Sequence, residues 1–131
     1  MPSTIDRLSP AGMRRPEHDQ RRVQVQRHGS VLRLEPENLA RYAELHRAVW
    51  PAVLATITGC NIRNNSIFQR GGWLFSSFEY VGEDDEADMR KTADDPDTQA
   101  WWAINNPLQK PLEDRAPSEW WASMHELFHL D

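Results

Sequence analysis

The chain has 131 residues, of which 39% are hydrophobic and 27% charged, and its formal net charge is −5 at pH 7. This length suits one domain with a single core. The acidic balance argues against nucleic-acid binding, which needs clustered positive charge. No apolar run approaches the roughly 18–20 residues of a membrane span. The polar residues 1–22 also lack the apolar segment of a signal peptide. We therefore expect a cytoplasmic protein with a disordered leader, 1–22, and one domain, 23–131.

Hydrophobic periodicity predicts a strand and then a helical segment in the first half of this domain. Residues 30–34 alternate between two faces, as in a strand, and Pro36 stops the run. Apolar residues then recur at helical spacing on one face across residues 39–57. Pro51 interrupts this stripe and predicts a kink or a fresh helical start, and Gly59 ends it.

The second half begins with a hairpin signal. Two strand-like runs across residues 61–81 flank Gly71-Gly72. Residues 82–104 indicate an acidic helix that breaks near Pro96 and resumes, and the proline-rich residues 105–119 indicate a loop. The order strand, helix, strand, strand, helix, strand predicts an α+β, ferredoxin-like fold: an antiparallel sheet with helices on one face.

The closing segment contains His125-Glu126-Leu127-Phe128-His129, which matches the zinc-protease pattern H-E-x-x-H. That chemistry needs a helix, so that two imidazoles one turn apart bind one zinc ion, and it needs a third ligand from elsewhere. On a strand the two histidines would lie about 13 Å apart, too far for one metal. We interpret the segment as a last strand with Met124, Glu126, Phe128 and Leu130 on one face, and we predict no metal site.

Two features are candidates for a binding site. His46 lies in the middle of the apolar stripe, with Tyr42 one turn before it and Trp50 one turn after it. It is either a core histidine satisfied by one hydrogen bond or a titratable group in a pocket wall. The adjacent Trp101 and Trp102 point about 100° apart on a helix. Either one tryptophan lies in the core and the other at a subunit interface, or the pair forms a stacking surface for the apolar face of a sugar.

Four stretches together resemble one known family: "RYAELHRAVWP", "SIF", "WW" and the ending "ELFHLD" are similar to the L-rhamnose mutarotases over residues 29–131. The resemblance implies a dimeric α+β barrel in which two ferredoxin-like sheets pack together, with the ending as the last strand. It implies an isomerase that interconverts the α and β anomers of a monosaccharide, a 6-deoxy-L-hexose such as L-rhamnose. No metal, nucleotide or redox cofactor is expected.

The resemblance also implies roles for individual residues. The family's proton-donating histidine corresponds to His46, its sugar-contacting tyrosine to Tyr42, and its substrate-binding tryptophan pair to Trp101 and Trp102. A second sugar-contacting tyrosine of the family is replaced here by Asn65, which makes L-fucose a competing substrate.

Two other classes of protein remain open. One is a dimeric α+β barrel that binds a small ligand without catalysis, and the other is a haem- or oxygen-using monooxygenase of similar fold. The tryptophan pair combined with Tyr42 favours a hydroxylated substrate. Aromatic residues in excess of what one small core needs also predict a two-fold homodimer with its sheets face to face; these are Trp73, Phe75, Phe78, Trp120 and Trp121.

Overall fold

The computed structural model describes residues 24–131, and the predicted leader, 1–22, lies outside them. Strands and helices follow one another much as predicted. In chain order they are β1 (Gln26–Leu34), α1 (Leu39–His46), α2 (Pro51–Gly59), β2 (Ile62–Arg70), β3 (Trp73–Tyr80), α3 (Asp85–Asp94), α4 (Pro96–Asn105), β4 (Gln109–Lys110) and β5 (Ala122–Met124).

The strands form one antiparallel sheet in the order β2-β3-β1-β4, and β5 also pairs with β1. The predicted hairpin is present, because β2 and β3 flank the turn at Gly71 and Gly72. This arrangement confirms the predicted α+β, ferredoxin-like fold. The two-residue strand β4 was missed, because it lies inside the proline-rich segment predicted as a loop and pairs only with Arg33 and Leu34.

Prolines begin two of the helices. Pro51 is the first residue of α2 and Pro96 the first of α4, positions where proline's fixed φ is favourable and its missing N–H costs nothing. The helical stripe is therefore divided into α1 and α2, with residues 47–50 between them, as a fresh start at Pro51 predicted. In the range 24–131, no helix is both long and apolar enough to cross a membrane.

The core lies between the sheet and α1. Leu32 and Leu34 of β1, Leu74 of β3 and Tyr42 of α1 form a cluster in which every side chain is at most 5% exposed. Leu39, Leu108 and Trp121 pack against its border. This packing fixes Tyr42 against the sheet, and it thereby sets the position of the residues one turn further along α1.

The other face of the sheet carries no helix and is apolar at its centre. Register pairs Val31 with Phe75, and Phe75 with Phe68 on the next strand. Phe68 is 62% exposed, and Trp73, Phe75 and Met124 are also exposed. An apolar sheet face open to water is what a partner or a second sheet would cover.

Three of the aromatic residues whose excess predicted a homodimer do not lie at the centre of this open face. Phe78, Trp120 and Trp121 border a cavity between the sheet and the helices instead. The alternation along β3 accounts for Phe78, since it shares a face with the buried Leu74. These three residues therefore do not belong to the open apolar face, and the homodimer stays a prediction.

The predicted last strand is also wrong beyond Met124. The strand β5 covers only Ala122–Met124, and residues 125–131 have no regular secondary structure. Only three residues of β1 pair with β5, and no strand of the described chain pairs with residues 125–131. Leu127 and Phe128 are consequently 91% and 81% exposed. The helix that an H-E-x-x-H zinc site requires is not formed either.

Candidate active site

A cavity of about 710 Å³ lies between the helices and the covered face of the sheet. Pockets for small molecules typically measure about 300–1,000 Å³, so a monosaccharide fits. All five residues proposed as site residues from the sequence line this one cavity: Tyr42, His46, Asn65, Trp101 and Trp102.

His46 is held in one orientation by its own helix. Its Nδ1 lies 2.8 Å from the carbonyl oxygen of Tyr42, one turn earlier. A carbonyl oxygen can only accept, so Nδ1 carries the hydrogen, and Nε2 of the neutral imidazole keeps a lone pair. The ring stacks on that of Tyr42 with centroids 4.1 Å apart and meets Trp101 edge-on at 5.4 Å. No hydrogen bond joins Nε2 to any other residue of the described range.

Burial lowers the pKa of His46 below its usual value of 6.5, and the hydrogen bond to the Tyr42 carbonyl offsets only part of that shift. Desolvation disfavours the charged form of an imidazole, which is why the direction is downward. At neutral pH the side chain is therefore uncharged. In that state Nε2 is a proton acceptor at the wall of the cavity.

Two hydrogen bonds connect Tyr42 to residues in the last quarter of the chain. Gln109 Nε2 donates to the Tyr42 hydroxyl over 3.0 Å, and Trp120 Nε1 donates to Gln109 Oε1 over 2.8 Å. Burial raises the pKa of Tyr42, against a smaller lowering by the Gln109 bond, so the phenol stays protonated at neutral pH. Neither Gln109 nor Trp120 was identified as a site residue from the sequence. Gln109 lies in the segment predicted as a loop, and Trp120 was counted only among the aromatic residues that predicted a dimer.

The two tryptophans of α4 have different surroundings. Trp101 is only 6% exposed and meets Trp50 edge-on with centroids 5.2 Å apart. Trp102 is 39% exposed, yet it also lines the cavity. Trp101 thus packs against the imidazole, while Trp102 leaves part of its indole ring exposed at the cavity.

A bulge in β2 brings Asn65 to the cavity. The register between β2 and β3 shifts after Arg63, so that Asn64 and Asn65 together stand opposite one residue of β3. Asn64 has a φ of 51°, a left-handed conformation that asparagine tolerates, and it donates to Glu79 Oε1 over 2.5 Å. The extra residue inverts the alternation along β2, so that Asn65 and Ile67 line the same cavity as Ile62.

Asn105 is a further cavity residue that sequence reasoning missed. Its Nδ2 donates to the Trp101 carbonyl over 2.9 Å, while its buried Oδ1 has no hydrogen-bond partner within the described chain. The signal was available, because Asn105 follows Trp101 by four residues and shares its helix face. As for metals, residues 24–131 contain no group of three or more His, Cys, Asp or Glu side chains placed to share an ion.

Comparison with known proteins identifies the family. A family model described as L-rhamnose mutarotase matches residues 27–130. An L-rhamnose mutarotase of Oceanobacillus iheyensis is 28% identical over 109 residues, which cover 82% of this chain and 100% of the relative. An L-fucose mutarotase of Xanthomonas campestris pv. campestris is 36% identical over 96 residues, which cover 70% of this chain and 76% of the relative.

Two solved structures share the fold. An L-rhamnose mutarotase from Formosa agariphila superposes with a TM-score of 0.62 at 20% identity, over 81% of this chain and 99% of its own. A NIPSNAP family protein from Agrobacterium tumefaciens gives a TM-score of 0.52 at 19% identity, over 70% and 89% of the two chains. The predicted enzyme class, a sugar mutarotase and hence an isomerase, is confirmed by the family match. The chain belongs to the L-rhamnose mutarotase family.

Proposed function

We propose that the cavity binds a 6-deoxy-L-hexose, L-rhamnose in the first place, and that His46 catalyses the interconversion of its anomers. One observation carries the proposal: a single imidazole nitrogen without a protein partner in the described chain lies at the wall of a cavity of monosaccharide size. The aromatic surface of Trp102 suits the apolar face of a sugar ring, and Tyr42 and Asn65 supply polar groups for its hydroxyls.

The chemistry needs proton transfer at two oxygens of the sugar. Removing the proton of the anomeric hydroxyl and protonating the ring oxygen breaks the bond between that oxygen and C1, and leaves an open-chain aldehyde. Rotation about the C1–C2 bond and reclosure on the other face give the other anomer. Because burial lowers the pKa of His46, its imidazole is uncharged at neutral pH and can take up the proton of the anomeric hydroxyl. A positioned proton-transfer group of this kind accelerates a reaction by about 10²–10⁴-fold. The steps need no redox change.

L-Fucose is the second candidate substrate. It differs from L-rhamnose in the configuration of the hydroxyls at C2 and C4, so polar groups in the cavity wall decide between the two sugars. Asn65 lines that wall, where the resemblance implies a tyrosine in the family. The relative of Xanthomonas campestris pv. campestris is named an L-fucose mutarotase. An amide reaches a hydroxyl at a different distance from a phenol, which supports keeping both sugars under test.

Saturation-transfer NMR measures anomer exchange directly over a panel of aldoses. The proposal predicts that the protein accelerates exchange of L-rhamnose, and to a smaller extent L-fucose, well above the buffer rate. Asn65→Tyr is the matched variant, and it should raise the ratio of the L-rhamnose rate to the L-fucose rate. Binding of either sugar without any acceleration would favour the non-catalytic ligand-binding protein instead.

We also propose a two-fold homodimer with the open sheet faces packed together. Support comes from the exposed apolar residues of that face, including Phe68 and Phe75, which a single chain leaves in contact with water. The cytoplasmic location stays a prediction from the sequence.

A further inference from the structure

We propose that the Tyr42 hydroxyl donates a proton to the ring oxygen of the sugar. Gln109 is the positioning residue: it donates a hydrogen bond to the hydroxyl oxygen, which leaves the hydroxyl hydrogen free to point into the cavity. The inference rests on the proposed function and names a second proton-transfer group for it. It follows from the directions of three hydrogen bonds. In each of them one of the two atoms can act only as a donor or only as an acceptor, so the direction of the bond is fixed.

The orientation of the Gln109 amide is fixed by Trp120. An indole N–H is a donor and never an acceptor. The amide atom that faces Trp120 Nε1 at 2.8 Å must therefore be the oxygen. The amide nitrogen consequently faces Tyr42, at 3.0 Å from its hydroxyl oxygen. The usual ambiguity between the oxygen and nitrogen of a glutamine side chain does not arise here.

The amide in turn fixes the role of the Tyr42 hydroxyl. An amide nitrogen has only hydrogens to offer, so the Tyr42 oxygen accepts from Gln109. The hydroxyl's own hydrogen is left over, and the described chain provides no second hydrogen-bond partner for it. Because Tyr42 lines the cavity, this hydrogen is available to a ligand there. Tyr42 is therefore a donor toward the sugar.

The opposite polarity holds for His46. Its Nδ1 hydrogen is used by the Tyr42 carbonyl, so Nε2 of the neutral ring is an acceptor. The stacked pair thus presents one donor and one acceptor to the cavity. A cyclic sugar carries the complementary pair on two oxygens bonded to the same carbon, C1, since its ring oxygen can only accept and its anomeric hydroxyl can donate. Tyr42 then faces the ring oxygen, and His46 faces the anomeric hydroxyl.

Both side chains return to their starting protonation states after one turnover. On ring opening, His46 Nε2 takes the proton of the anomeric hydroxyl, the bond between C1 and the ring oxygen breaks, and the Tyr42 hydroxyl protonates the departing oxygen. This transfer is downhill, because an alkoxide is more basic than a phenolate. On reclosure, the phenolate recovers its proton and the imidazolium returns its own to the new anomeric oxygen. The proton-donating role that the resemblance implies for His46 then belongs to the closing half of the reaction.

Replacing Gln109 by glutamate tests the polarity with almost no change of shape. A carboxylate can only accept, so it still accepts from Trp120 but now also takes the hydroxyl hydrogen of Tyr42. In the folded Gln109→Glu protein, kcat/KM for the accepted sugar should fall on the order of 10²-fold, the scale for loss of a general acid. Tyr42→Phe should lose about as much. The double variant should lose little more than either single one, because both remove the same proton.

Further variants separate polarity from packing. Gln109→Leu leaves the Tyr42 hydroxyl free to rotate, so it should cost less than Gln109→Glu. Trp120→Phe releases the amide at a partly exposed position that tolerates the change, and any loss it causes should vanish in a Tyr42→Phe background. The matched control is Gln24→Glu, the same chemical change at an exposed position before β1, which should behave as wild type.

The outcomes that overturn the inference are distinct from failure of the proposed function. A folded Gln109→Glu protein with the wild-type kcat/KM, or additive losses in the double variant, would overturn the polarity and leave the mutarotase proposal standing. Equal losses in Gln109→Leu and Gln109→Glu would reduce Gln109 to a packing role and also overturn it. A wild-type protein that accelerates no anomer exchange would overturn the proposed function itself.

Discussion

Replacing His46 by asparagine removes the proposed proton acceptor and leaves its anchor in place. In the wild-type protein the imidazole Nδ1 lies 2.8 Å from the Tyr42 carbonyl oxygen. The asparagine Nδ2 takes nearly the same position and can still donate to that oxygen. Nε2 disappears, and so do the ring contacts to Tyr42 and Trp101 at 4.1 and 5.4 Å. The variant therefore separates the catalytic nitrogen from the structural one.

The substitution should lower both the free energy of unfolding and the rate of anomer exchange, for different reasons. Two aromatic contacts at about 0.5–1.5 kcal/mol each give a loss of about 2 kcal/mol in the free energy of unfolding. For a domain of this size that lowers Tm by roughly 10 °C. Loss of the proton-transfer group should lower the catalysed exchange rate by about 10²-fold or more. Sugar affinity should weaken much less, because Tyr42 and the tryptophan surface remain.

Tm and exchange rate, measured on the same sample by calorimetry and saturation-transfer NMR, decide between the two roles of His46. A core histidine would show the loss of Tm with nearly unchanged activity per folded molecule. Wild-type exchange rates in folded His46→Asn protein would refute the mechanism. His129→Asn is the matched control, since that histidine pairs with Asp131 outside the cavity, and both measurements should stay at their wild-type values.

The remaining predictions concern pH, metal and assembly. Because the folded pKa of His46 is lowered from 6.5, the unfolded chain takes up its proton first as the pH falls, so stability should decline below pH 6.5 in a denaturation series. The exchange rate measured by NMR should decline at a lower pH, where the imidazole of the folded chain becomes protonated and can no longer accept a proton. Burial and the bond to Asp88 raise the pKa of Tyr80 to about 12 from 10.0. The unfolded chain loses this proton first as the pH rises, so stability should fall between these two values, which denaturation at each pH will measure. Chelators should change neither Tm nor activity, and zinc that co-purifies and is lost in His125→Ala would contradict this. Phe68→Asp should convert a dimer to monomers in light scattering, whereas a wild-type monomer at micromolar concentration would exclude the dimer.

Local signals accounted for most of the fold. The break in the first helical segment follows from Pro51, which fixes its own φ and offers no N–H. The hairpin follows from Gly71, whose φ of 57° favours glycine. Tyr42 and His46 lie four residues apart on one helix, so their common orientation toward the cavity was visible as periodicity. Each of these features depends on residues within a few positions of one another.

The tertiary structure alone decided the contacts between distant residues. Gln109 reaches Tyr42 across 67 positions of the chain, and no periodic pattern in its loop indicates that meeting. The bulge that turns Asn65 to the cavity depends on the register between β2 and β3, and the end of β5 at Met124 depends on how little of β1 it pairs with. Which aromatic residues face the cavity and which face water likewise depends on which side of the sheet the helices cover. A one-dimensional pattern predicts a face of an element, but only packing in three dimensions determines what that face meets.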